Sequence, residues 1–154
     1  MSEKKEILVD VKHLKKYFQV SRTNVLKAVD DISFQIRRGE TVGLVGESGC
    51  GKSTAGRCLI RLDHPTEGEI YYKGKELAKQ DAKEKIEFCK NVQMIFQNPY
   101  SSLNPRMTVR EIVSEGIRLH DKLTEKEIAE KVKELLRKVG LNGDHMSRFP
   151  HEFS

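Results

Sequence analysis

From Thr41 to about Leu62 the chain passes directly from a nearly continuous apolar run, TVGLV, through a glycine-rich turn, GESGCGKST, into residues that favour a helix. The run is short and lacks the polar alternation of a strand with one wet face, so it reads as a strand buried on both faces. Such strands belong to parallel sheets covered by helices, which points to an α/β fold. Within the turn, Gly46, Gly51, Lys52 and Ser53 have the spacing G-x-x-x-x-G-K-[ST]. Glycines let the backbone curl so that successive N–H groups face phosphate oxygens, and the helix N-terminus beyond adds its partial positive charge. By chance the pattern arises in roughly one 150-residue chain in two hundred, before the flanking strand and helix are required. The cradle therefore comprises Gly46, Glu47, Ser48, Gly49, Cys50, Gly51, Lys52, Ser53 and Thr54. Lys52 would neutralise the β- and γ-phosphates, and the Ser53 hydroxyl would join a Mg²⁺ ion between them. Cys50 reads as a small tolerated residue of this loop. A dinucleotide fingerprint, G-x-G-x-x-G, would need glycine where Thr54 stands, and protein-kinase signatures are missing.

The segments around this unit predict a second kind of sheet. Ile7 to Val11 alternates apolar and charged residues, Tyr17 to Val20 resumes a strand-like run, and Ser21 to Asn24 forms a turn. Val25 to Ile36 would be the return arm of this hairpin, ended by the turn Arg37 to Glu40. A helix is expected from Ser53 to about Leu62, a short strand at Glu69 to Tyr72, a turn at Lys73 and Gly74, and a charged helix over Lys75 to Lys90. Val92 to Phe96, VQMIF, reads as a second strand of the buried type. Pro99 and Pro105 then mark a loop. Thr108 with Glu111, and Thr124 with Glu127, each open a helix as a capping box. Ile128, Val132, Leu135, Leu136 and Val139 form one apolar stripe closed by Gly140. That stripe needs a partner surface.

Composition narrows the class further. The chain has 154 residues, 37% hydrophobic and 33% charged, which excludes collagen-like, mucin-like and wholly disordered chains. Its apolar runs fall far short of the roughly 18 residues that span a bilayer, and the N-terminus lacks an apolar secretory core. Cys50, Cys58 and Cys89 lack C-x-x-C spacing, against a disulfide framework or a zinc site, so a reducing cytoplasm is expected. The formal charge is +5, but the lysines between Lys73 and Lys90 alternate with Glu76, Asp81, Glu84 and Glu87 and read as solvated faces. Without a basic stripe carrying aromatic residues, no nucleic-acid partner is expected.

The order LKKYF, AVDDISFQIRRGETVGLVGESGCGKST, GEIYYKGK and MIFQNPYSSLNPRMTV resembles the nucleotide-binding subunits of ABC transporters over nearly the whole chain. Within them, FQNPYSSLNPRMTVREI and the closing RFPHEFS are most similar to the ATPase subunits of bacterial oligopeptide and dipeptide importers, in particular the second of their two paired ATPases. The resemblance implies a P-loop NTPase (RecA-like) core with an antiparallel β-subdomain on the N-terminal side and the start of an α-helical subdomain, an incomplete form of the fold. It divides the chain into residues 1–97, the nucleotide-binding core with the β-subdomain, and residues 98–154, the Q-loop segment with a partial helical subdomain. It implies ATP and Mg²⁺ as ligands, Tyr17 as the aromatic that stacks on adenine, and Gln97 as the Q-loop glutamine at the metal. The implied partners are a second, paralogous ATPase subunit, transmembrane permease subunits gripped through Asn98 to Met107, and indirectly an extracellular or periplasmic peptide-binding protein. The implied place is the cytoplasmic face of the membrane, peripherally. Asn98 stands where many relatives carry Asp. The family's signature motif is represented only by Phe153 and Ser154, and the Walker B aspartate, catalytic glutamate, D-loop and switch histidine have no match. No catalytic base is therefore nominated, and His120, His145 and His151 do not match the switch position. The expectation is of a truncated subunit that binds nucleotide over an incomplete core; a stand-alone P-loop nucleotide-binding or regulatory module without hydrolysis is the other reading.

Overall fold

The computed structural model describes residues 5–98 and 102–153. The chain divides into two compact units, Met1–Gln93 and Met94–Ser154. Pro99, within the expected partner-facing loop, lies outside the described residues, as does Ser154.

The first unit is built on an antiparallel four-stranded sheet of order β2-β1-β3-β4. The expected hairpin is present as β1 (Ile7–Gln19) and β2 (Val25–Arg37). Its turn is closed by the Val20 and Ser21 N–H groups, which donate to the Asn24 carbonyl at 3.0 and 3.2 Å. β3 (Glu67–Tyr72) pairs with the other side of β1, and the two-residue β4 (Lys75–Glu76) follows the turn at Lys73 and Gly74. Val11 and Leu14 are both fully buried, although strict alternation would put residues three apart on opposite faces. A bulge at His13, whose φ is 49°, resets the phase, and its N–H donates to the Ser33 hydroxyl at 2.8 Å. The core joins Val11, Leu14, Val29 and Ile70 of the sheet to Ala55 and Cys58 of α1 (Lys52–Leu59) and Phe88 of α2 (Ala82–Asn91). Tyr72 and Phe88 meet edge to face at 5.2 Å.

Several expectations are corrected here. Thr41 to Val45 and Val92 to Phe96 are not strands, and no ladder among the described residues includes them. Leu44 is 50% exposed, Val45 94% and Ile95 92%. Parallel strands need hydrogen-bonded neighbours and helical cover, and every ladder found among the described residues is antiparallel and belongs to the hairpin sheet. The helix after the glycine loop ends at Leu59 rather than near Leu62. Arg61 adopts φ 63°, the Leu62 N–H turns back to the Arg57 carbonyl at 2.9 Å, and the Arg57 guanidinium grips Asp63 at 2.7 Å. The charged segment Lys75 to Lys90 is not one helix: β4 and a 3₁₀ turn at Leu77–Lys79 precede α2, whose N-cap Asp81 exchanges hydrogen bonds with Glu84.

The second unit contains α3 (Val109–His120) and α4 (Glu125–Lys138), with Thr108/Glu111 and Thr124/Glu127 forming both expected capping boxes. Ile128, Val132 and Leu136 pack on Ile117, with Val109, Val113, Leu123, Leu141 and Met146 around them. The stripe of α4 thus finds its partner within this unit, although Val139 is 71% exposed. The Glu127 carboxyl is held below its ordinary pKa by the Thr124 hydroxyl and then the Thr124 N–H; for Glu111 the Thr108 N–H comes first and the hydroxyl second. These depressed carboxylates stabilise the helices above the ordinary glutamate range, and the benefit is lost as pH falls through the folded-state value. Thr124→Ala is expected to lower stability by about 1 kcal/mol, read as a lower urea midpoint at neutral pH, with the difference from the parent shrinking in acid.

Candidate nucleotide site

The glycine-rich loop leads into α1 with Gly51 as its N-cap. Neither a side-chain cap nor an acidic residue occupies the start of this helix, so its first N–H groups and the positive end of its dipole stay available to an anion. Ser48 to Cys50 form the turn, with the Cys50 N–H donating to the Glu47 carbonyl at 3.3 Å. Gly49 and Gly51 adopt φ 82° and 92°. The Lys52 ammonium folds back into the loop, donating to the Gly46 carbonyl at 2.8 Å and the Glu47 carbonyl at 2.6 Å, with Cys50 Sγ 3.5 Å away. A cation is thereby held among exposed backbone groups. Ser53 is exposed on the first turn and Thr54 is half-buried. These donors fit a nucleotide phosphate with its metal: a hydroxyl at the helix start, a cation and uncapped N–H groups lie together. Among the described residues no group of three or more His, Cys, Asp or Glu is placed to hold a metal ion by itself.

β2 abuts this loop. In the register, Lys16 pairs with Val29 and Tyr17 with Lys27, so Ala28 is an unpaired bulge residue. The Ala28 carbonyl oxygen lies where a side chain on Gly51 would begin, 1.9 Å from that Cβ position. Tyr17, half-buried on β1, donates its hydroxyl to Asp30, and Lys27 lies over its ring at 5.2 Å while pairing with Asp30 at 3.3 Å. The hydrogen bond to Asp30 raises the phenol above its ordinary pKa and, from the other side, lowers that of Asp30; Asp30 likewise raises Lys27. Sequence reasoning missed Lys27 and Asp30. The available signal was their position on the return arm opposite Tyr17, hidden because two bulges displace the simple register. Gln97 is exposed and falls in the second unit, as does Asn98. His145 accepts the Asn142 N–H at 3.1 Å, and His151 stacks on Phe149.

A glycine loop that holds a lysine at an uncapped helix start, beside an antiparallel hairpin sheet, defines a P-loop nucleotide-binding cassette. The chain belongs to the ABC transporter family, whose model matches residues 29–154. It is 54% identical over 151 residues to the oligopeptide transport ATP-binding protein OppF of Bacillus subtilis (strain 168), spanning 97% of this chain and 49% of that protein. Over 146 residues it is 42% identical to the dipeptide transport ATP-binding protein DppF of Escherichia coli (strain K12), covering 92% of this chain and 44% of the relative. The chain thus spans about half the length of these curated relatives. Among solved structures, the dimeric bacterial ABC transporter cassette MJ0796 superposes with a TM-score of 0.79 at 25% identity, over 96% of this chain and 63% of that one. The same cassette in a dimeric post-hydrolysis state bound to ADP and Pi gives 0.78. The resemblance read from the sequence and the fold class it implied are borne out. Among the described residues, no helix is long and apolar enough to cross a membrane.

Proposed function

We propose that this chain forms part of the ATP-binding subunit of an ABC importer for oligopeptides or dipeptides, with Gly46 to Thr54 as its phosphate cradle. The observation that carries this reading is the Lys52 ammonium held inside the loop at an uncapped helix start, in a chain 54% identical to an oligopeptide transport ATP-binding protein. The loop N–H groups bind phosphate oxygens and Lys52 neutralises them. The Ser53 hydroxyl would be a ligand for Mg²⁺, which would supply positive charge to the phosphates, and the family resemblance implies the Q-loop Gln97 as a further metal contact. Tyr17 supplies a flat face for adenine. Residues 1–97 serve as the nucleotide core with its β-subdomain and residues 98–154 as the Q-loop and helical part. The segment from Asn98 to Met107 meets the permease subunits at the cytoplasmic face, and a paralogous ATPase subunit completes the pair. A separate peptide-binding protein delivers the cargo.

Uptake of a labelled tripeptide tests the transport assignment. In the native host, replacing the chromosomal gene by its Lys52→Ala form is expected to reduce uptake to the background of a gene deletion. Unchanged uptake in both strains, with ATP binding by the purified protein intact, would instead identify a nucleotide-binding module that works outside transport.

A further inference from the structure

The register of the hairpin concentrates irregularity in one short piece of β2. Leu14 pairs with Ile32 and Lys16 with Val29, leaving two residues, Asp30 and Asp31, opposite Lys15; the next step leaves Ala28 unpaired. Asp31 adopts φ 60°. Two bulges two residues apart cost ladder hydrogen bonds, and bulges of this kind re-aim side chains. Here they deliver two features to one place. The Ala28 carbonyl is pressed against Gly51, tying β2 to the phosphate loop, and Asp30 reaches across to the hydroxyl of Tyr17. Lys27, directly opposite Tyr17 in the ladder, lays its ammonium over the ring and bridges back to Asp30. One face of the ring is thereby occupied by a cation, and its hydroxyl end is fixed by a carboxylate.

From this geometry we infer that Asp30 and Lys27 are positioning residues for the nucleotide base: they clamp the Tyr17 ring so that one face stays open to a purine beside the phosphate loop. The inference rests on the proposed stacking role of Tyr17 and adds the groups that set its orientation. A half-buried aromatic on a strand with its hydroxyl and one face unheld samples more than one χ1 and χ2 setting, and a base stacking on it must first select one of them. A ring already held at both its hydroxyl and one face loses less freedom when the base arrives. The clamp therefore acts on the base and leaves the phosphates untouched, which separates it from a role in holding the hairpin together.

The test compares two ligands on the full chain, ATP and inorganic triphosphate, each displacing a fluorescent ATP analogue. Asp30→Ala is expected to weaken ATP by about three- to tenfold while leaving triphosphate affinity unchanged. Asp30→Asn, whose amide oxygen still accepts the Tyr17 hydroxyl, is expected to restore most of the loss. Tyr17→Phe should lose part of what Asp30→Ala loses, because it removes the hydroxyl contact but keeps the Lys27–Asp30 pair, and the double variant should lose no more than Asp30→Ala, since the hydroxyl contact is common to both. A spectrophotometric titration should show the phenol of Tyr17 ionising at lower pH in Asp30→Ala, since Asp30 raises it in the parent; the nearby charges acting on that ring are Lys27 and Lys15. If Tyr17→Ala weakens ATP selectively but Asp30→Ala does not, the clamp is refuted and stacking stands. If Tyr17→Ala leaves ATP unaffected, stacking itself fails and the clamp falls with it. Equal losses for ATP and triphosphate in Asp30→Ala would mark a structural effect on the hairpin and also overturn the inference.

Discussion

Lys52→Ala is expected to lower affinity for ATP by about two orders of magnitude, because a charge-assisted hydrogen bond contributes about 1.5–3 kcal/mol and each 1.4 kcal/mol is roughly tenfold. The same substitution should leave folding stability nearly unchanged. Its partners, the Gly46 and Glu47 carbonyls, lie in exposed loop residues, so water replaces the ammonium there without a desolvation penalty. The loss should scale with phosphate count: ATP and ADP weaken strongly, whereas AMP weakens little. Lys52→Arg should not rescue binding, since a planar fork does not occupy the place of a compact ammonium folded between two carbonyls. Isothermal titration with ATP, ADP and AMP, alongside a urea melt of each variant, checks all four statements. Equal ATP affinity in the parent and Lys52→Ala, both folded, would remove the phosphate site from this loop.

What the sequence made legible was local. The G-x-x-x-x-G-K-S spacing, the turn at Ser21 to Asn24 and the Thr/Glu capping boxes each depend on residues within a few positions of one another, and each is present in the structure. The apolar runs at Thr41 to Val45 and Val92 to Phe96 were legible as a demand for burial. A strand's hydrogen bonds come from other segments, however, and a run of Val, Leu and Ile records the demand without naming the supplier. The stripe of α4 shows the opposite case, because Ile117, Leu141 and Met146 supply its partner surface from short range. The site followed the same division. Its phosphate half was written in consecutive residues, while the Tyr17, Lys27 and Asp30 cluster depends on two bulges that no period-two pattern announces. Gln97 and the phosphate loop belong to separate units, so their joint role at a metal rests on the family resemblance alone.

Gly51→Ala should be among the most damaging single methyl groups in the first unit. At φ 92° any L-residue is strained by about 1–2 kcal/mol. The new Cβ would also lie 1.9 Å from the Ala28 carbonyl oxygen and 3.0 Å from its carbon, and these are backbone atoms of a paired hairpin rather than the tip of a side chain that can rotate aside. Relief requires the loop and β2 to separate, which would also disturb the packing of the next residue on β2, Val29, a core residue that is 6% exposed. The combined cost is expected to be about 3 kcal/mol or more, seen as a large drop in the urea midpoint. Gly49→Ala separates the two contributions. Its φ is 82°, but nothing lies within 4 Å of the added Cβ, so it should cost only the backbone strain. If the two variants melt alike, the contact between Ala28 and Gly51 contributes nothing to the fold. A Gly51→Ala protein that is less stable yet binds ATP as tightly as the parent would show that the loop can hold phosphate without its seat against the hairpin.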